Sequence, residues 1–301
     1  MKLLSIKKAS FLLFVCALSA CKKENGLPEI GNINASSNKI AVGQYIILKS
    51  ITAKGDAMDR EFDYNWTGTD GFKSTEAEAS WVPSKNGNQT ITLTLSSGKK
   101  STSKSASFNV VEPNFRLGLW GNTRSEIQLY ESKAGNELIS SNGEFMVYIG
   151  ENSMDADGYV INNNALIGAA TVYTERYSTN YMQYVNDYNN YLSKLIAKYG
   201  TPKTNMLYYK TEAIRDELKT YPNRLGDMII NGDVRLQAVW SVADSDIAIT
   251  IYKNETLESL IFGTTYSPVS IKTTASTLDN KAQTALEELT KYQINRRVNI
   301  Q

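Results

Sequence analysis

Thr90-Ile91-Thr92-Leu93-Thr94-Leu95 alternates strictly between hydroxyl and branched apolar side chains. Successive side chains of a β-strand point to opposite faces, so Ile91, Leu93 and Leu95 share one face and the threonines the other. A strand with one apolar face needs a second layer to cover it. Short β-rich runs around it can supply that layer: Ile40-Ala41-Val42, Tyr45 to Ile51, Phe62 to Trp66, Ala79 to Val82 and Ser105 to Val111, separated by glycine, serine and asparagine. Phe62, Tyr64 and Trp66 alternate in the same way, which predicts Trp66 as an aromatic between two sheets. About seven strands in so short a span predict an antiparallel β-sandwich over residues 30–112. Within it, the basic, serine-rich Lys99 to Ser105 predicts a solvated hairpin whose lysines discourage edge pairing.

Glu112-Pro113-Asn114 breaks the strand-rich pattern and opens a second domain, 113–301, in which helix and strand alternate. Thr123-Arg124-Ser125-Glu126 has the spacing of a capping box and predicts a short helix carrying Ile127 and Tyr130 inward. Strands are expected at Phe145 to Ile149, Gly158 to Ile161 and Ala165 to Tyr173. A long helix follows from near Thr179. On it Tyr181, Tyr184, Tyr188, Tyr191 and Leu195 recur at alternating spacings of three and four, which is one stripe. Such a stripe packs on a sheet or, exposed, offers flat faces and hydroxyls to a sugar. Gly200 and Pro202 stop the helix. A second helix from Glu212 to Lys219 precedes three runs, Arg235 to Val242, Ile247 to Tyr252 and Leu257 to Phe262, expected as an antiparallel meander. Residues 274–293 place Leu278, Ala282, Ala285, Leu286 and Leu289 at helical spacing, an amphipathic helix that could dock on this domain or on a partner. The second domain is therefore expected as α+β, with an antiparallel sheet and a long packing helix.

The chain opens with Lys2 and Lys7-Lys8 before an apolar run from Phe11 to Leu18, the order of a secretory signal over residues 1–20. Leu18-Ser19-Ala20-Cys21 resembles a bacterial lipobox. The resemblance implies lipidation of Cys21, cleavage in front of it, and fatty acylation of the new amino group. Residues 21–29, polar with a glycine and a proline, then read as a tether. The 30–112 segment resembles the immunoglobulin-like and polycystic-kidney-disease-type sandwiches of bacterial surface proteins through Tyr64-Asn65-Trp66, Trp81-Val82-Pro83 and Gly87 leading into the Thr90 strand. The later order of Trp120-Gly121 and Glu126, Lys198-Tyr199-Gly200 with Pro202, and Ala238-Val239-Trp240 before Ile247-Ala248-Ile249 resembles small α+β lipoprotein domains. These are the ones related to β-lactamase-inhibitor protein and to outer-membrane-assembly lipoproteins. That likeness transfers a fold and no catalytic residue.

Composition removes much chemistry. Net charge is +1 with acids and bases interspersed, which argues against nucleic acid as a partner. Histidine is absent and the only two cysteines are Cys16, inside the signal, and Cys21. Histidine-activated nucleophiles, histidine- or cysteine-ligated zinc and internal disulfides are thereby excluded from the mature chain. Ser153-Met154-Asp155-Ala156-Asp157-Gly158 resembles the centre of a calcium loop, but Ser153 and Asn164 stand where an acid and a bidentate glutamate are needed, so a plain turn is expected. No catalytic residue, metal or cofactor is expected. The function expected is non-catalytic: a lipid-anchored envelope protein at the outer membrane, on its periplasmic or surface face, binding a protein or a glycan. The alternative is a glycoside hydrolase working with carboxylates alone.

Overall fold

The computed structural model describes residues 27–54, 62–150, 155–173, 180–257, 259–269, 284 and 286–291. Cys21, the signal and most of the tether lie outside them. Most of the described chain is antiparallel β-sheet, with few helices. Among the described residues no helix is long and apolar enough to cross a membrane.

The first eight strands are β1 (Ile30–Ala35), β2 (Ile40–Ala41), β3 (Ile46–Thr52), β4 (Asp63–Gly68), β5 (Lys73–Ser74), β6 (Ala79–Trp81), β7 (Gly87–Ser97) and β8 (Lys100–Val111). They form two sheets, ordered β1-β3-β6 and β2-β8-β7-β4-β5. Ile91, Leu93 and Leu95 are fully buried and meet Ile46, Leu48, Trp66 and Trp81 in one core. Each such aliphatic side chain contributes about 1.5–3 kcal/mol on burial. Both indoles find a partner for their N–H: Trp66 donates to the Glu76 carbonyl at 2.8 Å and Trp81 to Asp70 Oδ2 at 2.9 Å. On the outer face Thr92 and Thr94 meet Ser105 and Ser103 at 2.8 Å. The hairpin expected at Lys99 to Ser105 joins β7 to β8, but its turn is only Gly98-Lys99, and the serines belong to β8. A second difference is that β2 pairs with β8 in parallel, Ile40 beside Val110, so this sheet is not purely antiparallel.

Beyond Val111 the elements are α1 (Arg124–Lys133), β9 (Leu138–Asn142), β10 (Phe145–Ile149), β11 (Ala156–Asn162), β12 (Ala165–Val172), α2 (Met182–Tyr199), β13 (Thr204–Tyr209), α3 (Glu212–Thr220), α4 (Leu225–Asn231), β14 (Val234–Val242), β15 (Ser245–Asn254) and β16 (Ser259–Pro268). The strands make one eight-stranded sheet in the order β13-β14-β15-β16-β12-β11-β10-β9, antiparallel throughout. The capping box of α1 is formed, with Thr123 and Glu126 each satisfying the other's backbone amide. Tyr184, Tyr188, Leu192 and Leu195 of α2 pack with Trp240, Ile249 and Phe262 beneath them. Helix α4 crosses α2 at Gly226, where a Cβ would lie 2.4 Å from the Tyr181 carbonyl carbon, so no larger residue fits.

Of the predicted 274–293 helix only 284 and 286–291 are described. Leu286 and Leu289 are buried against Val160, Ala170 and Ile261, so this part docks on its own chain. On the opposite face Phe115 and Ile127 cover Met146, Tyr148 and Tyr159.

Candidate functional site

The connection between β8 and α1 carries the site. Phe115 and Gly118 bond each other's backbones at 3.3 and 2.8 Å, which closes a tight turn with Arg116 at its tip. Arg116 has φ 49°, the left-handed region that costs a side-chain-bearing residue free energy unless its surroundings hold it there. Gly118 lets the turn approach the sheet, since a Cβ would meet Leu166 at 2.8 Å and Tyr159 at 3.0 Å.

What holds Arg116 is its guanidinium. Nε and Nη2 donate in parallel to the two oxygens of Glu131 at 3.0 Å each, and Nη1 donates to the Ile149 carbonyl at 2.9 Å and to Asp157 Oδ2. Glu131, fully buried in the last turn of α1, also accepts from the Tyr159 hydroxyl and from Asn136 Nδ2. Asp157 on β11 accepts from the Thr171 hydroxyl at 2.6 Å. Burial works against charge on Arg116, but bonding to Glu131 and the charges of Glu131 and Asp157 outweigh it and hold the proton more tightly than usual. For Asp157 burial wins: its pKa is raised, with the bonds from Thr171 and Arg116 only partly offsetting this. The Tyr148 phenol, under the guanidinium, is pushed up to about 12 by burial and then by the Glu131 charge.

Of these groups Arg116, Asn136, Asp157 and Thr171 line a cavity of about 630 Å³, and Glu131 lies behind Arg116. Its walls are tyrosines from separate elements: Tyr173 after β12, Tyr191 and Tyr199 from α2, and Tyr266 from β16. Tyr173 and Tyr191 stack at 3.8 Å and 16°, and Tyr173 is tied by its hydroxyl to Thr264 at 2.9 Å. Lys198 stands at the rim with its ammonium 5.0 Å from the Tyr199 ring centre. Size and mixed lining are those of a small-ligand site.

The tyrosine stripe thus divides. Tyr184 and Tyr188 are core, each 2% exposed, whereas Tyr191 reaches the cleft wall. The turn expected at Ser153 to Gly158 is corrected in its described part: β11 starts at Ala156, and Asp157 is spoken for by Arg116 and Thr171. Ser153 and Met154 lie outside the described residues. Among the described residues no three carboxylates gather in a way that could hold a metal. Arg116 was not legible as a site residue. Its signal, a lone cation inside Phe115-Arg116-Leu117-Gly118-Leu119-Trp120, points only to burial with acids that lie 15 and 41 positions away.

No family model matches the chain, and no curated protein matches it. Among solved structures it is similar to one described as "Structural basis for the promiscuous specificity of the carbohydrate-binding modules from the beta-sandwich super family", at 14% identity and a TM-score of 0.25. The match covers 50% of this chain and 58% of that one. A likeness that weak identifies neither fold nor ligand.

Proposed function

We propose that the chain is a non-catalytic, lipid-anchored protein of the cell envelope that binds glycan in the tyrosine-walled cleft. The observation that carries this reading is the state of the two carboxylates on Arg116: Asp157, which lines the cleft, and Glu131, buried behind the guanidinium. Both oxygens of Glu131 and both of Asp157 already accept hydrogen bonds, and one guanidinium lies between the two carboxylates. Glycoside hydrolysis uses two carboxyls flanking the bond to be cut, one of them free to give a proton and the other to attack or activate water. A pair clamped on one arginine is suited to hold shape and polarity instead. Around it, tyrosine rings and hydroxyls, Asn136, Thr171 and Lys198 offer the mixture of flat apolar surface and hydrogen-bonding groups that a polyhydroxylated ring can use.

A glycan array probed with the purified soluble chain tests the reading. Retention of a carbohydrate, lost in Lys198→Glu with an unchanged thermal melt, is the supporting result; an array blank at every spot refutes it. Anchoring rests on Leu18-Ser19-Ala20-Cys21 after its basic and apolar segments. Cys21→Ala should move the protein from the membrane to the soluble fraction. A fatty-acid analogue that still labels the variant would show the anchor to be elsewhere.

A further inference from the structure

The cleft does not end at Tyr199. Pro113, Asn114, Lys198 and Tyr199 line it and also line a second cavity of about 510 Å³. Val111, Asn114, Leu119 and Asp244 line that second cavity and also a third of about 670 Å³, beside the sandwich. We propose that the three form one groove, and that it binds a neutral, linear oligosaccharide lengthwise. This rests on the glycan reading above and names the ligand's shape and charge.

Four features support it. Each cavity alone is the size for one small ligand, so three in series fit an extended chain better than a compact molecule. The far cavity has its own recognition surface: the exposed amides of Asn34, Asn38 and Asn109 donate and accept together, as sugar hydroxyls require, and Trp120 supplies a flat wall. That wall is fixed, because the indole N–H donates to Ser245 Oγ at 2.9 Å and the Trp120 amide donates to Asn114 Oδ1 at 2.8 Å. Asn114, common to all three cavities, is itself locked by donating to both oxygens of Asp244 at 3.0 Å. The middle stretch, with Val111, Pro113, Leu119, Val242 and Ile247, suits the apolar face of a pyranose ring. Finally, charge in the lining is balanced between the cations Lys39, Arg116 and Lys198 and the acids Glu112, Asp155, Asp157 and Asp244, which gives a polyanion no advantage.

The test is titration calorimetry of the soluble chain with neutral gluco-, xylo- and N-acetylglucosamine oligosaccharides, from disaccharides upward, and with oligogalacturonates for comparison. In one neutral series affinity should climb at least tenfold from the shortest ligand to those that span the groove. The double variant Asn38→Ala/Asn109→Ala, both exposed positions, should remove most of that gain and leave the shortest ligand's affinity within twofold; Trp120→Ala should do the same if it melts like the wild type. Binding that is equal at all lengths and insensitive to the asparagine variant overturns the groove while leaving the glycan reading intact. Preference for oligogalacturonates overturns the neutral assignment. No binding to any oligosaccharide, together with a blank array, overturns both.

Discussion

Tyr188 offers a substitution whose sign is unusual. Its ring is 2% exposed and packs near Phe262, with ring centres 6.4 Å apart. Its hydroxyl is buried and has no hydrogen-bond partner among the described residues, and burial alone raises the phenol's pKa. A hydroxyl taken out of water without a partner costs about 1–3 kcal/mol on mutational scales. Tyr188→Phe keeps the ring and removes the cost, so it should stabilise the chain by about 1 kcal/mol or somewhat more, a rise of a few degrees in melting temperature. Tyr188→Ala removes the ring as well and, by analogy with Phe→Ala, should cost about 3–5 kcal/mol. Tyr173→Phe is the control. It breaks the bond to Thr264, itself fully buried, and should lose about 1 kcal/mol. Urea titrations of the three variants with matched slopes decide the matter. A Tyr188→Phe protein less stable than the wild type would mean that the hydroxyl is satisfied, and the reasoning fails.

Two further outcomes follow from the charged groups at Arg116 and the buried phenols. Arg116→Met should destabilise by about 3–5 kcal/mol, because it leaves Glu131 and Asp157 buried without their cation, and a thermal melt within two degrees of the wild type would contradict that. With no histidine in the chain, stability should be flat between about pH 7 and 9, then fall above about pH 10. Tyr148, Tyr159, Tyr173, Tyr188 and Tyr266 all hold their protons more tightly folded than unfolded, chiefly through burial. The stability they add is complete below the unfolded pKa and is lost as pH climbs through the folded values, Tyr148 at about 12. A melting temperature that holds to pH 12 would refute this.

Elements with strong periodicity were legible from sequence. Thr90 to Leu95 is buried on alternate residues as the pattern requires, and the α1 cap and the Tyr184, Tyr188 and Leu195 packing follow from spacing alone. Strands β9 and β13 were not, because both are sheet edges: β13 leaves Asn205, Met206, Tyr208 and Tyr209 exposed, so no apolar face is written into it. Helix α4 was hidden for a different reason. Its fit depends on Gly226 at a crossing, and a glycine in sequence argues against helix. The cleft was least legible, since Arg116, Glu131 and Asp157 meet only through tertiary pairing, and nothing local in Asn114-Phe115-Arg116 announces a guanidinium aimed at two acids.

Gln44, fully buried, joins the sandwich to the connection between β8 and α1 by donating to the Leu117 carbonyl at 2.7 Å and to Asn122 Oδ1 at 3.3 Å. Around that joint, the cavity beside Trp120 draws its walls from positions 33–40, from 107–111, from the connection between β8 and α1 and from Asp244. No contiguous stretch of the gene encodes it. A lineage that shuffled the sandwich or the eight-stranded sheet alone into another protein would inherit a wall and not a groove, whereas a change at Gln44, which lines none of the three cavities, would retune the groove's width without touching its lining.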